Sequence, residues 1–329
     1  MTPPHDVVAV GNAIVDILAQ ASDDFLARHE IVRGAMTLID EARADFLTGL
    51  FPDPIFAAGG SAANSVTGVA SLGGSAAYIG KVADDALGAR FIKEFRAGGV
   101  AFDSAARPGP PSTARCIIAV SPDGQRSMNT YLGASTLLEP ADVVPSVIQS
   151  GAIVFLEGYL FDRDEAKAAF VRAAEIAKAA GRRVALTTSD VFCVERHRTS
   201  FRHLVAGHID VLLANEGELL SLYETASLTE ALAAARADCP VVAVTRSAQG
   251  SIVADAAGAV EIAAEPVAQV VDTTGAGDLY AAGFLFGLSR GRPLAECGKL
   301  GAIAAGEVIS HMGPRPETRL DALVRAAGL

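Results

Sequence analysis

The stretch VVDTTGAGDLYAAGF (270–284) sets two glycines and two carboxylates at the junction between an apolar run and an apolar helix. The first N–H groups of a helix have no intrahelical partner, and glycines at 275 and 277 leave them bare and approachable. With the positive end of the helix dipole behind them, Gly275, Ala276 and Gly277 form a candidate anion site for a phosphoryl group in an anionic transition state. Asp278 lies in the same turn, where its charge would repel a bound phosphate. Its carboxylate is better suited to orienting and deprotonating an attacking hydroxyl. The plain alternative is an acidic residue that stabilises the first helical turn. The pattern is not a Walker A loop, whose G-x-x-x-x-G-K-[ST] lysine is missing, and the protein-kinase signatures are missing too.

A second glycine-rich segment, AAGGSAANSVTGVASLGG, spans 57–74. Gly59 and Gly60 allow close backbone approach, and the small residues after them suit a helix packed tightly against a strand. Asn64 can donate and accept hydrogen bonds at once, which suits a polyhydroxyl ligand, or it caps a tight turn. In GNAIVDI (11–17), Asn12 and Asp16 bracket an apolar stretch just after the first core strand. Ligands of open parallel sheets collect at the carboxyl ends of strands, where a carboxamide and a carboxylate can hold vicinal hydroxyls. Asp16 could equally lie on the exposed face of a lid strand.

These residues need a scaffold, and the second half of the chain supplies a regular one. AIVFLEG (152–158) reads as a buried strand, and RDEAKAAFVRAAEIAKAAG (163–181) follows with helical spacing. There Ala166, Ala169, Phe170, Ala173 and Ala177 share a face, and Gly181 is a natural stop. RVALTTS, DVLLAN, VVAVTR and SIVAD read as further strands, with a helix from EGELLSLYE and three apolar helices near 279–289, 294–309 and 317–327. The expected fold is α/β: a doubly wound, mainly parallel sheet sandwiched by helices. The first half alternates apolar and polar residues, with SPDG as a hairpin turn, so its strands should have one exposed face. They predict a small β-sheet lid, from excursions near 13–40 and 111–135, on one domain spanning 1–329.

Half of the 329 residues are hydrophobic and a fifth are charged, enough for a large core. The net charge of −11 argues against nucleic acid or an anionic membrane as the main partner. Cys116, Cys193, Cys239 and Cys297 form no C-x-x-C pair and read as reduced core thiols. The N-terminus lacks the basic region of a signal peptide and no run of eighteen apolar residues occurs, so a cytoplasmic, soluble protein is expected. G-x-G-x-x-G is absent, which argues against a nicotinamide-dependent oxidoreductase.

Taken in order and spacing, the two glycine-rich segments resemble the signatures of the PfkB, or ribokinase-like, carbohydrate kinases. GGSAANSVTGVASLGG with IGKVADDALG is similar to the first signature, and DTTGAGDLYAAGF to the second. NEGE (215–218), VTRSAQGSIV and AAGEVISHMGPRP resemble the family's Asn-x-x-Glu motif, nucleotide-side strand turn and C-terminal nucleotide segment. GNAIVDI, GGSAANS and NTYLGAS are most similar to the adenosine kinase branch, whereas ribokinases usually carry a lysine in GGKGAN. The resemblance implies an ATP-dependent kinase that phosphorylates a primary hydroxyl of a nucleoside or sugar, with Mg²⁺ and, in potassium-activated relatives, K⁺. It assigns the catalytic base to Asp278, the anion hole to Gly275, Ala276 and Gly277, and sugar binding to Asn12, Asp16, Gly59, Gly60 and Asn64. Asn215 and Glu218 fall near the phosphates and the water shell of Mg²⁺, and Thr245, Arg246 and Gly250 beside the nucleotide. Asp272 and Thr274 match positions that, in potassium-activated relatives, lend oxygens to a monovalent cation, and His311 lies either where an adenine pocket would be or on the surface. Arg246 departs from the small residue common after this threonine. Ribokinase, fructokinase or keto-deoxy-sugar kinase activity is the alternative, as is a sugar- or nucleoside-binding regulator without catalysis. A monomer or homodimer is compatible with the sequence.

Overall fold

A computed structural model describes residues 3–329. Among them, β-branched and apolar runs pair into a nine-stranded sheet and a separate five-stranded one. The chain enters the large sheet with β1 (His5–Val10) and crosses to the small one as β2 (Ile14–Gln20), β3 (Met36–Leu38) and β4 (Ile55–Gly59). It returns as β5 (Ala76–Ile79) and β6 (Val100–Ala101), and leaves again as β7 (Ala114–Val120) and β8 (Arg126–Tyr131). The remaining strands all belong to the large sheet: β9 (Gly151–Glu157), β10 (Arg183–Thr187), β11 (Val211–Asn215), β12 (Val241–Thr245), β13 (Ser251–Asp255) and β14 (Gly258–Ile262). Its order is β14-β13-β12-β11-β10-β9-β1-β5-β6, parallel from β12 to β6, with an antiparallel hairpin at the β14 edge.

Side chains alternate across a strand, so each strand of a doubly covered sheet feeds two cores. Val7 and Ala9 of β1, with Ile153 and Phe155 of β9, pack against the helices Ser61–Ser71, Ala276–Ser289 and Leu294–Val308. Val8 and Val10, with Val154 and Leu156, pack on the opposite face against the helices Asp164–Ala179, Val191–His208 and Glu216–Tyr223. The apolar face expected on the Asp164–Ala179 helix is the buried one. The sheet is therefore doubly wound, and the three terminal helices fall at Ala276–Ser289, Leu294–Val308 and Leu320–Ala326. All four cysteines are buried. Among the described residues no helix is long and apolar enough to cross a membrane.

The small sheet, ordered β3-β8-β7-β2-β4, is the lid. Its strand β4 lies beyond the 13–40 stretch that the sequence suggested. The expected half-exposed strands also turn out differently. Every residue of β7 is buried, because the helices Asp23–Arg28 and Glu41–Gly49 cover one face through Leu26, Ala44 and Leu47 against Ile117 and Ala119. The exposed large apolar side chains of the sheet lie on its edge strands, at Met36, Leu38 and Ile55. On the other face the register aligns Asp16 with Cys116, Cys116 with Thr130, and Val120 with Arg126. Cross-strand partners point to the same side of a sheet, so Asp16 and Arg126 share that face.

Candidate active site

The strand order reverses at β1, whose neighbours are β5 on one side and β9 on the other. Such a reversal opens a crevice at the carboxyl ends of the strands. Asn12 follows β1 and Glu157 ends β9, and the two meet across that crevice. Asn12 Nδ2 donates to Glu157 Oε1 at 2.8 Å and the Asn12 amide donates to the same oxygen at 3.3 Å. Glu157 Oε2 accepts the Ala62 N–H at 2.8 Å, which fixes the start of the Ser61–Ser71 helix. Burial pushes the Glu157 carboxyl up to about 7, against the pull of these donors. Glu157 is not legible in the sequence as a site residue, since an acidic residue ending an apolar run reads as a strand terminus.

Gly60 is the residue before that helix and has φ +107°, a region closed to most side chains. A Cβ there would collide with the Asn12 carbonyl oxygen, so glycine lets the lid strand β4 turn into the helix against the 11–13 crossing. Gly59 serves Asp16 instead, because a Cβ at 59 would occupy the space of the Asp16 carboxylate. Asp16 is buried and not on an exposed lid face. Desolvation raises its pKa to about 7, while Arg315 and Arg126 favour its ionised form.

The two glycine-rich segments meet through their helix starts. Asp278 Oδ1 accepts from Ser61 Oγ at 2.6 Å, and Oδ2 accepts from Asn64 Nδ2 at 3.0 Å. The opposite end of the Asn64 amide, Oδ1, is buried without a hydrogen-bond partner. Burial lifts the Asp278 pKa to about 6, and the Ser61 and Asn64 donors hold it from rising further. Both helices can approach because Gly68 lies against Leu279 and Ala282, 2.6 Å from where its Cβ would be. The tight packing of the Ser61–Ser71 helix is thus as much against another helix as against a strand.

Asp278 stands at the third position of the Ala276–Ser289 helix, behind Gly275 with φ +79°. A Cβ on Gly275 would press on Pro314, so this glycine also admits the segment 312–316. The Ala276 amide donates to Thr273 O at 3.2 Å. That leaves the amides of Gly277 and Asp278 without a partner among the described residues, and Gly277 faces open space. An anion arriving here would find two N–H donors at a helix N-terminus.

Further along the strand ends lie the residues expected near a nucleotide. Asn215 ends β11 and Thr245 ends β12, side by side in register. Asn215 and Glu218 form a capping box: Asn215 Oδ1 accepts the Glu218 N–H at 2.9 Å and Glu218 Oε2 accepts the Asn215 N–H at 3.1 Å. Thr188 Oγ1 donates to the same Glu218 oxygen at 2.6 Å, and burial raises the Glu218 pKa. Arg246 pairs with Glu216 at 3.2 Å, and Gly250, with φ +81°, makes room for the Ile262 carbonyl. His311 Nε2 lies 3.2 Å from Glu307 Oε2. Its pKa is raised: burial, the largest influence, lowers it, but the Met312 carbonyl, Glu307 and Glu317 together outweigh that. No group of three or more His, Cys, Asp or Glu side chains able to hold a metal occurs among the described residues.

Residues 40–319 match the pfkB family carbohydrate kinases. The chain is 50% identical to the adenosine kinase from Sinorhizobium meliloti, with a TM-score of 0.92 over 98% of this chain and 99% of that one. It is 46% identical to a probable sugar kinase protein from Rhizobium etli, with a TM-score of 0.93 over 99% of each chain. Adenosine kinase from Saccharomyces cerevisiae is 26% identical over 336 residues, covering 95% of this chain and 97% of the yeast protein.

Proposed function

The chain belongs to the pfkB family of carbohydrate kinases, and from that premise we propose that it transfers the γ-phosphoryl group of ATP to the primary hydroxyl of an adenosine-like nucleoside. Phosphotransfer to a sugar or nucleoside hydroxyl is the family's chemistry, and the adenosine kinase branch is the one it resembles. The observation that carries the mechanism is the placement of Asp278, half-buried between Ser61 and Asn64, one residue from an unpartnered helix-start amide.

In this reading Asp278 takes the proton of the acceptor hydroxyl as its oxygen bonds to the γ-phosphorus and the bridging oxygen leaves with ADP. A pKa near 6 keeps the carboxylate ionised at neutral pH yet basic enough to accept the proton. Charge developing on the phosphoryl oxygens falls on the Gly277 and Asp278 amides. Asn12, Asp16, the Gly59–Gly60 backbone and the free Asn64 Oδ1 line the acceptor side, where polar groups can pair with ribose hydroxyls. Thr245, Arg246 and Gly250 line the nucleotide side, at the end of β12 and in the turn that follows it. Among the described residues no cluster of His, Cys, Asp and Glu would cage a divalent ion, so Mg²⁺ would be held chiefly by the phosphates and water, with Asn215 and Glu218 the residues assigned to that water shell. Bound there, Mg²⁺ offsets phosphate charge.

A sugar acceptor is the second reading, and the likeness to the Rhizobium etli protein supports it. ADP release, measured with ATP, Mg²⁺ and adenosine, ribose, fructose or a keto-deoxy sugar acid in turn, separates the two. Adenosine should give the highest kcat/KM. A free sugar that outperforms it would move the acceptor assignment, and ligand binding without ADP from any acceptor would favour a regulator.

A further inference from the structure

The aspartate expected to lend oxygens to a monovalent cation is already occupied by the protein itself. Asp272 is buried, and both of its oxygens face donors: Oδ1 accepts the Thr274 N–H at 3.0 Å and Oδ2 the Gly313 N–H at 3.0 Å. The remaining approach to Oδ2 is taken by Arg126 Nη2 at 2.5 Å, an ion pair with side chains 4% and 5% exposed and an angle unsuited to a hydrogen bond. Arg126 Nε and Nη1 are buried without partners. A buried carboxylate already paired with a guanidinium does not fit K⁺, a second cation that would have to share the same oxygens.

The pair also joins two parts of the molecule. Arg126 opens lid strand β8, on the same face as Asp16, whereas Asp272 lies in the segment leading into the Gly275–Asp278 turn. The lid hairpin touches that segment again at its tip, where Gly124 lies against the Val271 carbonyl. We propose that Arg126 is a positioning residue whose guanidinium takes the place a monovalent cation would hold on Asp272, so that lid closure and ordering of the catalytic turn are one event. A buried carboxylate that loses its cation is left uncompensated, so an open lid would loosen the turn. The inference rests on phosphoryl transfer at Asp278.

The test compares KCl with N-methyl-D-glucamine chloride at matched ionic strength, on the full chain with ATP, Mg²⁺ and its best acceptor. The wild-type kcat and Tm should be the same in both salts. Arg126→Ala should lose turnover, on the order of tenfold to a hundredfold as for a displaced catalytic turn, and regain part of it with added guanidinium or K⁺. Arg126→Lys should lie between the two. Activation of the wild type by K⁺, or a Tm raised by K⁺ alone, would overturn the proposal even if Arg126→Ala does not fold. A folded Arg126→Ala enzyme that turns over normally, or that neither cation restores, would overturn it too. Absence of ADP with every acceptor in both salts would instead count against the kinase reading.

Discussion

Asp278 combines two demands that pull in opposite directions. Burial lifts its pKa to about 6, and the hydroxyl of Ser61 and amide of Asn64 stabilise the ionised form. If the base must be ionised, kcat/KM should fall as pH drops through about 6. Asn64→Ala removes a donor that favours the carboxylate, so the acid limb should move to higher pH; a limb that stays put would detach Asn64 from the base. Residue identity at this site was partly legible. Asp278, Asn64, Asn12 and Asp16 converge on one crevice, and their types had suggested hydroxyl chemistry. Glu157, Ser61 and Arg126 were not legible, because each contacts a partner distant in sequence: Glu157 meets Asn12 across 145 residues, and Ser61 meets Asp278 across 217.

The element that makes the site is the crossing of two helices. Ser61–Ser71 and Ala276–Ser289 bring their N-termini together only because Gly68 leaves room for Leu279 and Ala282. Gly68→Ile should therefore force the pair apart, destabilising the fold by about 1–3 kcal/mol as overpacking does. Its kcat should fall further than stability alone explains, because Asn64 and Asp278 separate; urea unfolding and steady-state rates measured together check this. An unchanged rate in a destabilised protein would show that the crossing does not position the base. Periodicity predicted the helices themselves well, since the Asp164–Ala179 face and the terminal helices follow directly from apolar spacing. It could not show which helices touch, nor that Asn215 and Glu218 spend their side chains on each other as a cap.

Over the whole molecule, the unbroken apolar runs of β9 to β12 announce a sheet buried on both faces, and the doubly wound fold follows. The lid was harder to read, since the alternation in β7 and β8 gave no sign that two short helices would cover one face while the other faced the cleft. Burial desolvates the carboxylates of that cleft. Glu157 has a value near 4.5 when unfolded and about 7 when folded, so its proton stabilises the fold below pH 4.5. That contribution is lost as pH rises through about 7. Relative to Glu157→Gln, the wild-type Tm should decline between pH 5 and pH 8; parallel Tm curves would show that Glu157 is not desolvated in solution. One carboxylate, Asp278, stands at the meeting point of both glycine-rich segments. Its most direct test is Asp278→Asn, with turnover and nucleoside affinity measured on the same preparation. In this variant kcat should fall by about 10²–10⁴-fold, the usual weight of a general base, while Kd for the nucleoside changes little. Turnover close to wild type in a variant that still binds nucleoside would contradict it.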